Sequence, residues 1–202
     1  MLLGSVVLAG GQSQRMGRPK AGLSIDGNTF LGRAVETLLL ATYPVLVVGR
    51  SDHDDLPPLP LEVEVIFDSA PDQGPLSGLV DGLKWHAAHQ ECDAVLVVGC
   101  DMPFLNVEAI GWLAAQMGDA DLVIPQVDNS LQPLAAIYSL QVLPAAQKLL
   151  ASGERGPKAL ATQVKTRILS EKELAKQDPK FRWLRSIDTP EEFEALQREL
   201  GS

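Results

Sequence analysis

Along the chain, short runs of β-branched and other apolar residues alternate with longer stretches in which apolar residues recur every three or four positions. "SVVLAG" (5–10), "PVLVVG" (44–49), "VEVIFD" (63–68), "AVLVVGCD" (94–101) and "DLVIP" (121–125) predict strands. "FLGRAVETLLLAT" (30–42), "GPLSGLVDGLKWHAAH" (74–89), "NVEAIGWLAAQM" (106–117) and "QVLPAAQKLLAS" (141–152) carry a helical period; in the second, Leu79, Leu83 and Ala87 share one face. "PLAAIYS" (133–139) reads as a further short strand and "RWLRSID" (182–188) as strand-like. The last helix, "TPEEFEALQREL", has Thr189 as N-cap, Pro190 at its first position and Glu192 completing a capping box.

Strands that are apolar without alternation are buried on both faces, as in parallel sheets covered by helices. Their succession with helices predicts an α/β fold: a Rossmann-like three-layer αβα sandwich with a mostly parallel sheet and a short antiparallel addition. "SDHDDLPPLPLE" (51–62) is a polar, proline-stiffened loop, and no repeat or linker interrupts the pattern, so one domain over 1–202 is expected. In such sheets ligands bind beyond the carboxyl ends of the strands. The residues there are Gly10 and Gly11 with a basic loop after the first strand, Asp68 after the third, Cys100-Asp101-Met102-Pro103 after the fourth, and Asp188 near the end.

The loop within "VVLAGGQSQRMGRPKAGL" (6–23) carries Arg15, Arg18 and Lys20 and no acid. Glycines after a buried strand let backbone N–H groups approach a ligand, successive N–H groups make an anion-binding concavity, and the three cations add full charges. This suits a polyphosphate, with arginine as a planar fork and lysine as a point charge. A P-loop is excluded because the glycine after Gly11 is Gly17, followed by Arg18; a dinucleotide fingerprint is excluded because the glycines are adjacent and Pro19 interrupts any helix. Asp101, on a rigid strand end with Pro103 turning the chain away, is suited to Mg²⁺, which takes one or two carboxylates plus substrate phosphate oxygens. Asp188 is either a second metal acid or an acid placed to favour the helix behind Thr189, and Asp68 is either a turn former or a nucleotide contact.

Composition narrows the partners. A net charge of −9 would repel a polyanion over most of the surface, which argues against nucleic acid. The N-terminal apolar run has no basic flank and ends at Gly10, so neither signal peptide nor membrane span is predicted, and a cytoplasmic protein is expected. Cys92 and Cys100 match no zinc spacing and are expected to be reduced, small apolar residues. His53, His86 and His89 are expected in a loop and on the outer side of a helix, without partners, so covalent catalysis is not supported.

With these residues assembled, the chain resembles the molybdenum cofactor guanylyltransferases, within the nucleotidyltransferases that carry an L-A-G/A-G-x-x-x-R-M/F-G-x-x-K loop. "LAGGQSQRMGRPK", "VIFD", "QGPLSGL", "VGCDMPFL", "QPLAAIY", "SGERG" and "SIDTPEEF" stand in that family's order. The resemblance implies transfer of GMP from GTP to the phosphate of molybdopterin, with Mg²⁺ as cofactor and molybdoenzymes or their chaperones as recipients of the product. It implies that Leu8, Ala9, Gly10 and Gly11 hold the nucleotide through their backbones, Arg15 and Lys20 hold phosphates, and Asp68 lies by the nucleotide. Asp101 would bind Mg²⁺, and Gly74 and Gly78 of "GPLSG" would line the base pocket. "AGG" where cytidylyltransferase relatives read "AAG" favours a purine, because a missing methyl leaves room. Gly49 departs from the family, which often has Asn there; Arg50 is an alternative source of that contact. Arg155 and the segment Arg182 to Asp188 are the acceptor-side candidates. A transferase using CTP on molybdopterin, one acting on a sugar phosphate, and a non-catalytic nucleotide-binding module are the other readings.

Overall fold

The structure, a computed structural model, describes residues 1–9, 20–50, 56–70 and 73–200. Gly10, Gly11, Arg15, Arg18 and His53 lie outside the described residues.

The central sheet contains β1 (Leu3–Leu8), β4 (Val45–Gly49), β5 (Val63–Phe67), β6 (Ala94–Gly99), β7 (Leu122–Val127), β9 (Ala135–Ser139) and β10 (Thr166–Leu169). Their spatial order is β10-β7-β9-β6-β1-β4-β5, with β8 (Ser130–Leu131) paired to β7. β1 is the hub. It runs parallel to β4, with Ser5 opposite Val45, and parallel to β6, with Leu3 opposite Ala94. The chain builds outward from β1 through β4 to β5 and then returns to place β6 on the other flank, so the strand order reverses between β1 and β6. Such a switch point opens a crevice at the strands' carboxyl ends. The expected antiparallel addition is β9, which is inserted between β6 and β7 rather than added at an edge.

Burial on both faces accounts for the unbroken apolar strands. Val7, Val47, Leu96 and Val98 face one core, filled by Leu31, Val35 and Leu38 of α1 (Phe30–Leu39) and Ile110 and Leu113 of α3 (Val107–Ala114). Their neighbours Val6, Leu46, Val95 and Val97 face the other, filled by Leu76, Leu79 and Leu83 of α2 (Pro75–His89) and Ala146 of α4 (Leu143–Ala151). A third, smaller cluster joins Leu23 and Ile25 beside the hairpin of β2 (Ser24–Ile25) and β3 (Asn28–Thr29) to Ile187, Phe193 and Leu196. The last two belong to α6 (Pro190–Leu200), whose capping box forms as expected: Thr189 Oγ1 accepts from the Glu192 N–H and the Glu192 carboxylate accepts from the Thr189 N–H. Among the described residues no helix is long and apolar enough to cross a membrane.

Two expectations are corrected. "RWLRSID" is not a strand: Arg182–Leu184 forms one 3-10 turn, entered through Phe181 at φ 51°. Trp183 and Ile187 are both buried, but in different clusters, so the apolar spacing reflects packing and not a ladder. Before this segment lie β10 and α5 (Glu171–Gln177), neither of which was expected.

His86 does not face outward. Gly78, Gly82 and His86, four apart on α2, lie on the face turned to β1, where the two glycines let the helix approach closely and His86 is buried. Its Nε2 is 3.1 Å from the Ser5 carbonyl, so that nitrogen is the donor; Nδ1, 3.4 Å away from Cys92 Sγ, accepts from the thiol. Burial lowers the His86 pKa and raises that of Cys92, so this is a neutral structural pair and not an activated nucleophile. Both cysteines are free and buried, as expected.

Candidate active site

Three side chains from distant parts of the chain meet beyond the β1 and β6 ends. Lys20 opens the 3-10 turn Lys20–Gly22, whose Ala21 is buried, so the turn is anchored while the side chain reaches the rim. Asp101 follows β6 directly. Its carboxylate folds back to within 2.5 Å of where a Cβ on Gly99 would stand, a position only glycine leaves open. Asp188 is delivered by the third cluster: the Ile187 N–H donates to the Asp101 carbonyl (3.0 Å), and Phe193 packs edge-on against Phe30 (5.8 Å between centroids). The Lys20 ammonium donates to Asp101 Oδ2 at 2.7 Å and Asp188 Oδ1 at 2.6 Å, while Ser186 Oγ donates to the other Asp188 oxygen at 2.8 Å. Burial works against the charged lysine; Asp101, and then Asp188, outweigh it and raise its pKa.

Among the described residues, these two carboxylates converge on the Lys20 ammonium. That donor set fits Mg²⁺, which needs one or two carboxylates and completes its shell with water and substrate phosphates. Among the described residues no larger group of potential metal ligands occurs.

Asp68 stands elsewhere. It follows β5, three strand spacings or about 14 Å from the β6 end, too far to share a metal with Asp101. Its Oδ1 accepts from the Ala70 N–H (2.9 Å) and Ser77 Oγ (2.6 Å), and Asp81 holds the Ser69 N–H beside it (2.8 Å). Leu8, Gly78 and Asp68 are grouped: a Cβ on Gly78 would meet Leu8 Cδ2 at 3.2 Å and Asp68 Oδ2 at 3.7 Å. The Ala9 N–H is bonded to the Val48 carbonyl. Gly74, at φ 74°, caps α2 and touches the "SGERG" loop, where the Arg155 carbonyl accepts from the Leu76 N–H at 3.1 Å. At Gly49 the space for a side chain is occupied: a Cβ there would lie 2.9 Å from the Phe67 ring. Ser77 and Gly99 were not singled out from sequence, although each sits in a motif that was, "GPLSG" and "VGCDMP".

A cavity of about 560 Å³ opens beside the lysine, lined by Asp101, Ser186 and Asp188 together with Gln132, Pro133 and Pro157 among others. Glu154 also lines it, and its carboxylate, held by the Gly156 and Arg155 N–H groups, has a lowered pKa. A second hollow of about 630 Å³ adjoins through Gln132, Leu184 and Ser186; there Arg182 and Arg185 lie over the Phe104 ring and pair with Glu199 at 2.7 and 2.6 Å.

The nearest thiol, Cys100, is pushed up to about 12 by burial and is no nucleophile. What the rim offers instead is charge beside open space. The chain belongs to the family of the MobA-like NTP transferase domain, whose model matches residues 5–168. A Geobacillus sp. (strain WCH70) protein named "Probable molybdenum cofactor guanylyltransferase" is 32% identical over 96% of this chain and 97% of its own. A Methanosarcina mazei protein of the same name is 30% identical over 95% and 88%. Among solved structures, molybdopterin-guanine dinucleotide biosynthesis protein A from Archaeoglobus fulgidus superposes with a TM-score of 0.77 at 20% identity, covering 98% of each chain. The 2-C-methyl-D-erythritol 4-phosphate cytidylyltransferase from Thermus thermophilus gives 0.73 at 15% identity, covering 100% of each.

Proposed function

We propose that this protein transfers GMP from GTP to the phosphate of molybdopterin, releasing pyrophosphate and forming molybdopterin guanine dinucleotide. The observation that carries the reading is Lys20 held between Asp101 and Asp188, with both acids lining the adjoining cavity. On this reading the nucleoside lies across Leu8, Ala9, Gly78 and Asp68, and its phosphates follow the glycine-rich loop, with Gly10, Gly11 and Arg15, towards Lys20. The acceptor fills the cavity beside Asp101.

A phosphate oxygen of the acceptor attacks the α-phosphorus of GTP. The new O–P bond forms as the bond to the β-phosphate oxygen breaks, and pyrophosphate departs in line. The protein's contribution is to orient both phosphates and to neutralise the leaving group's growing charge with Lys20 and Arg15. No base is needed, because a phosphate monoester loses its second proton near pH 6. Asp101 and Asp188 would hold Mg²⁺, which supplies further neutralisation of phosphate charge when bound. Product passes from this site to molybdoenzymes or their chaperones.

Pyrophosphate release should be measured with each of the four nucleoside triphosphates, with and without molybdopterin. Release that requires both GTP and molybdopterin is expected. Equal or faster release with CTP would overturn the base assignment, and release independent of acceptor would overturn the transfer.

A further inference from the structure

We infer that Lys20 is the resident counter-ion of the metal site, and that arrival of a divalent cation releases its ammonium to the donor's phosphates. The inference rests on the metal role of Asp101 and Asp188 proposed above. It adds that one point is shared in turn by two cations.

The geometry leads there directly. The Lys20 nitrogen lies at 2.7 and 2.6 Å from one oxygen of each acid, in the distance range of strong charge-assisted hydrogen bonds. A divalent ion that took those same two oxygens would occupy the space where the ammonium now sits, and like charge forbids sharing. The lysine and Asp101 side chains are only 15% and 20% exposed, so solvent screens neither the present attraction nor that repulsion fully. Release needs no backbone change, because the turn stays anchored by Ala21 while the four-carbon stem of lysine rotates. Without a cation the two acids would repel each other, so Lys20 also holds Asp188, which is 49% exposed, against the rim before metal arrives.

A displaced ammonium at a partly buried rim gains from a nearby anion, and a nucleoside triphosphate supplies one. Metal and nucleotide binding are therefore coupled through a single side chain, and the coupling is reciprocal.

The test uses Mn²⁺ titrated into nucleotide-free protein, followed by paramagnetic resonance of the free ion, for the parent and Lys20→Met. The variant should bind Mn²⁺ more tightly, on the order of tenfold, and GTP should tighten Mn²⁺ binding less in the variant than in the parent. Without metal the variant should melt below the parent, and Mg²⁺ should restore it. Equal or weaker Mn²⁺ binding by the variant, with binding in both abolished by Asp101→Asn, would leave the metal site standing and overturn the displacement. Failure of parent and variant alike to bind Mn²⁺, even with GTP, would overturn both.

Acetic anhydride labelling of the unaltered protein, read by peptide mass spectrometry, decides the matter without a variant. Lys20 should label slowly alone, faster with Mg²⁺, and slowly again with Mg²⁺ and GTP. Labelling unchanged by Mg²⁺ overturns the proposal.

Discussion

Replacing Gly82 by alanine sets two effects against each other, and the structure decides between them. In an exposed helix the change would stabilise by about 1 kcal/mol through backbone propensity. Here the added Cβ would stand 2.7 Å from Val6 Cγ2 and 3.0 Å from Cγ1, whereas carbon atoms in contact prefer about 3.5–4.0 Å. Val6 cannot retreat: it is fully buried, β-branched, and sits on a strand bonded on both sides to β4 and β6. The helix has to lift instead, and overpacking of this kind costs about 1–3 kcal/mol. With the propensity gain set against it, a net loss of up to about 2 kcal/mol is expected, equivalent to a fall of up to about 4–8 °C in melting temperature for a chain of this length. Gly78→Ala, one turn earlier, is the control. Its Cβ would meet only the mobile end of Leu8 at 3.2 Å, with Val48 and Asp68 at 3.6 and 3.7 Å, so stability should hold or rise slightly. Affinity for GTP should fall by about 1–3 kcal/mol, since the methyl fills the proposed nucleoside space between Leu8 and Asp68. Thermal melts and GTP titrations of both variants give the comparison. A Gly82→Ala protein that melts at or above the parent would refute the reasoning.

Asp101→Ala should reduce Mg²⁺-supported turnover by about a hundredfold or more, by analogy with single electrostatic contacts elsewhere, while melting close to the parent; near-parental turnover in a folded variant would reject its role. His86 carries a pH dependence: its folded pKa lies below the ordinary 6.5, so as pH falls below 6.5 the unfolded chain takes up the proton first and stability declines. Denaturation midpoints from pH 8 down to 5 should fall less steeply for His86→Gln than for the parent, and parallel curves would contradict this. Gly49→Asn should destabilise by about 1–3 kcal/mol because the Phe67 ring occupies its space, and the loss should shrink in Gly49→Asn/Phe67→Ala; additive losses in a double-mutant cycle would show that the ring is not the obstacle.

Much of the fold was legible because its signals are local. The unbroken apolar runs of β1, β4 and β6 announce burial on both faces, and Thr189, Pro190 and Glu192 announce a helix start through short-range hydrogen bonds. α5 carries a local signal of the same kind: Ser170 and Glu173 form a capping box that the sequence spells out. Other features depend on partners that no local pattern names. Trp183 and Ile187 mimic a strand's spacing, yet each fills a different cluster. The helical period puts Leu79, Leu83 and Ala87 on one face of α2; the stripe through Gly78, Gly82 and His86 is also buried, because absent side chains allow the helix to sit against β1. At the site, the sequence pointed to Asp101, Asp68 and Asp188 at the rim, but only the assembled structure separates Asp68 from Asp101 by the width of β1 and β4 and bonds Asp188 to Lys20.

That last pairing spans almost the whole polypeptide. Lys20 is 81 residues from Asp101 and 168 from Asp188, and Asp188 lies beyond the residues 5–168 that match the family model. During synthesis every strand of the sheet, through β10, leaves the ribosome before Asp188 does. A nascent chain halted after β10 could form its sheet and close the first half of the site, yet Lys20 would have one acid to clasp instead of two. Assembly of this rim is thus completed late in translation, because the segment between β10 and α6 delivers its second acid.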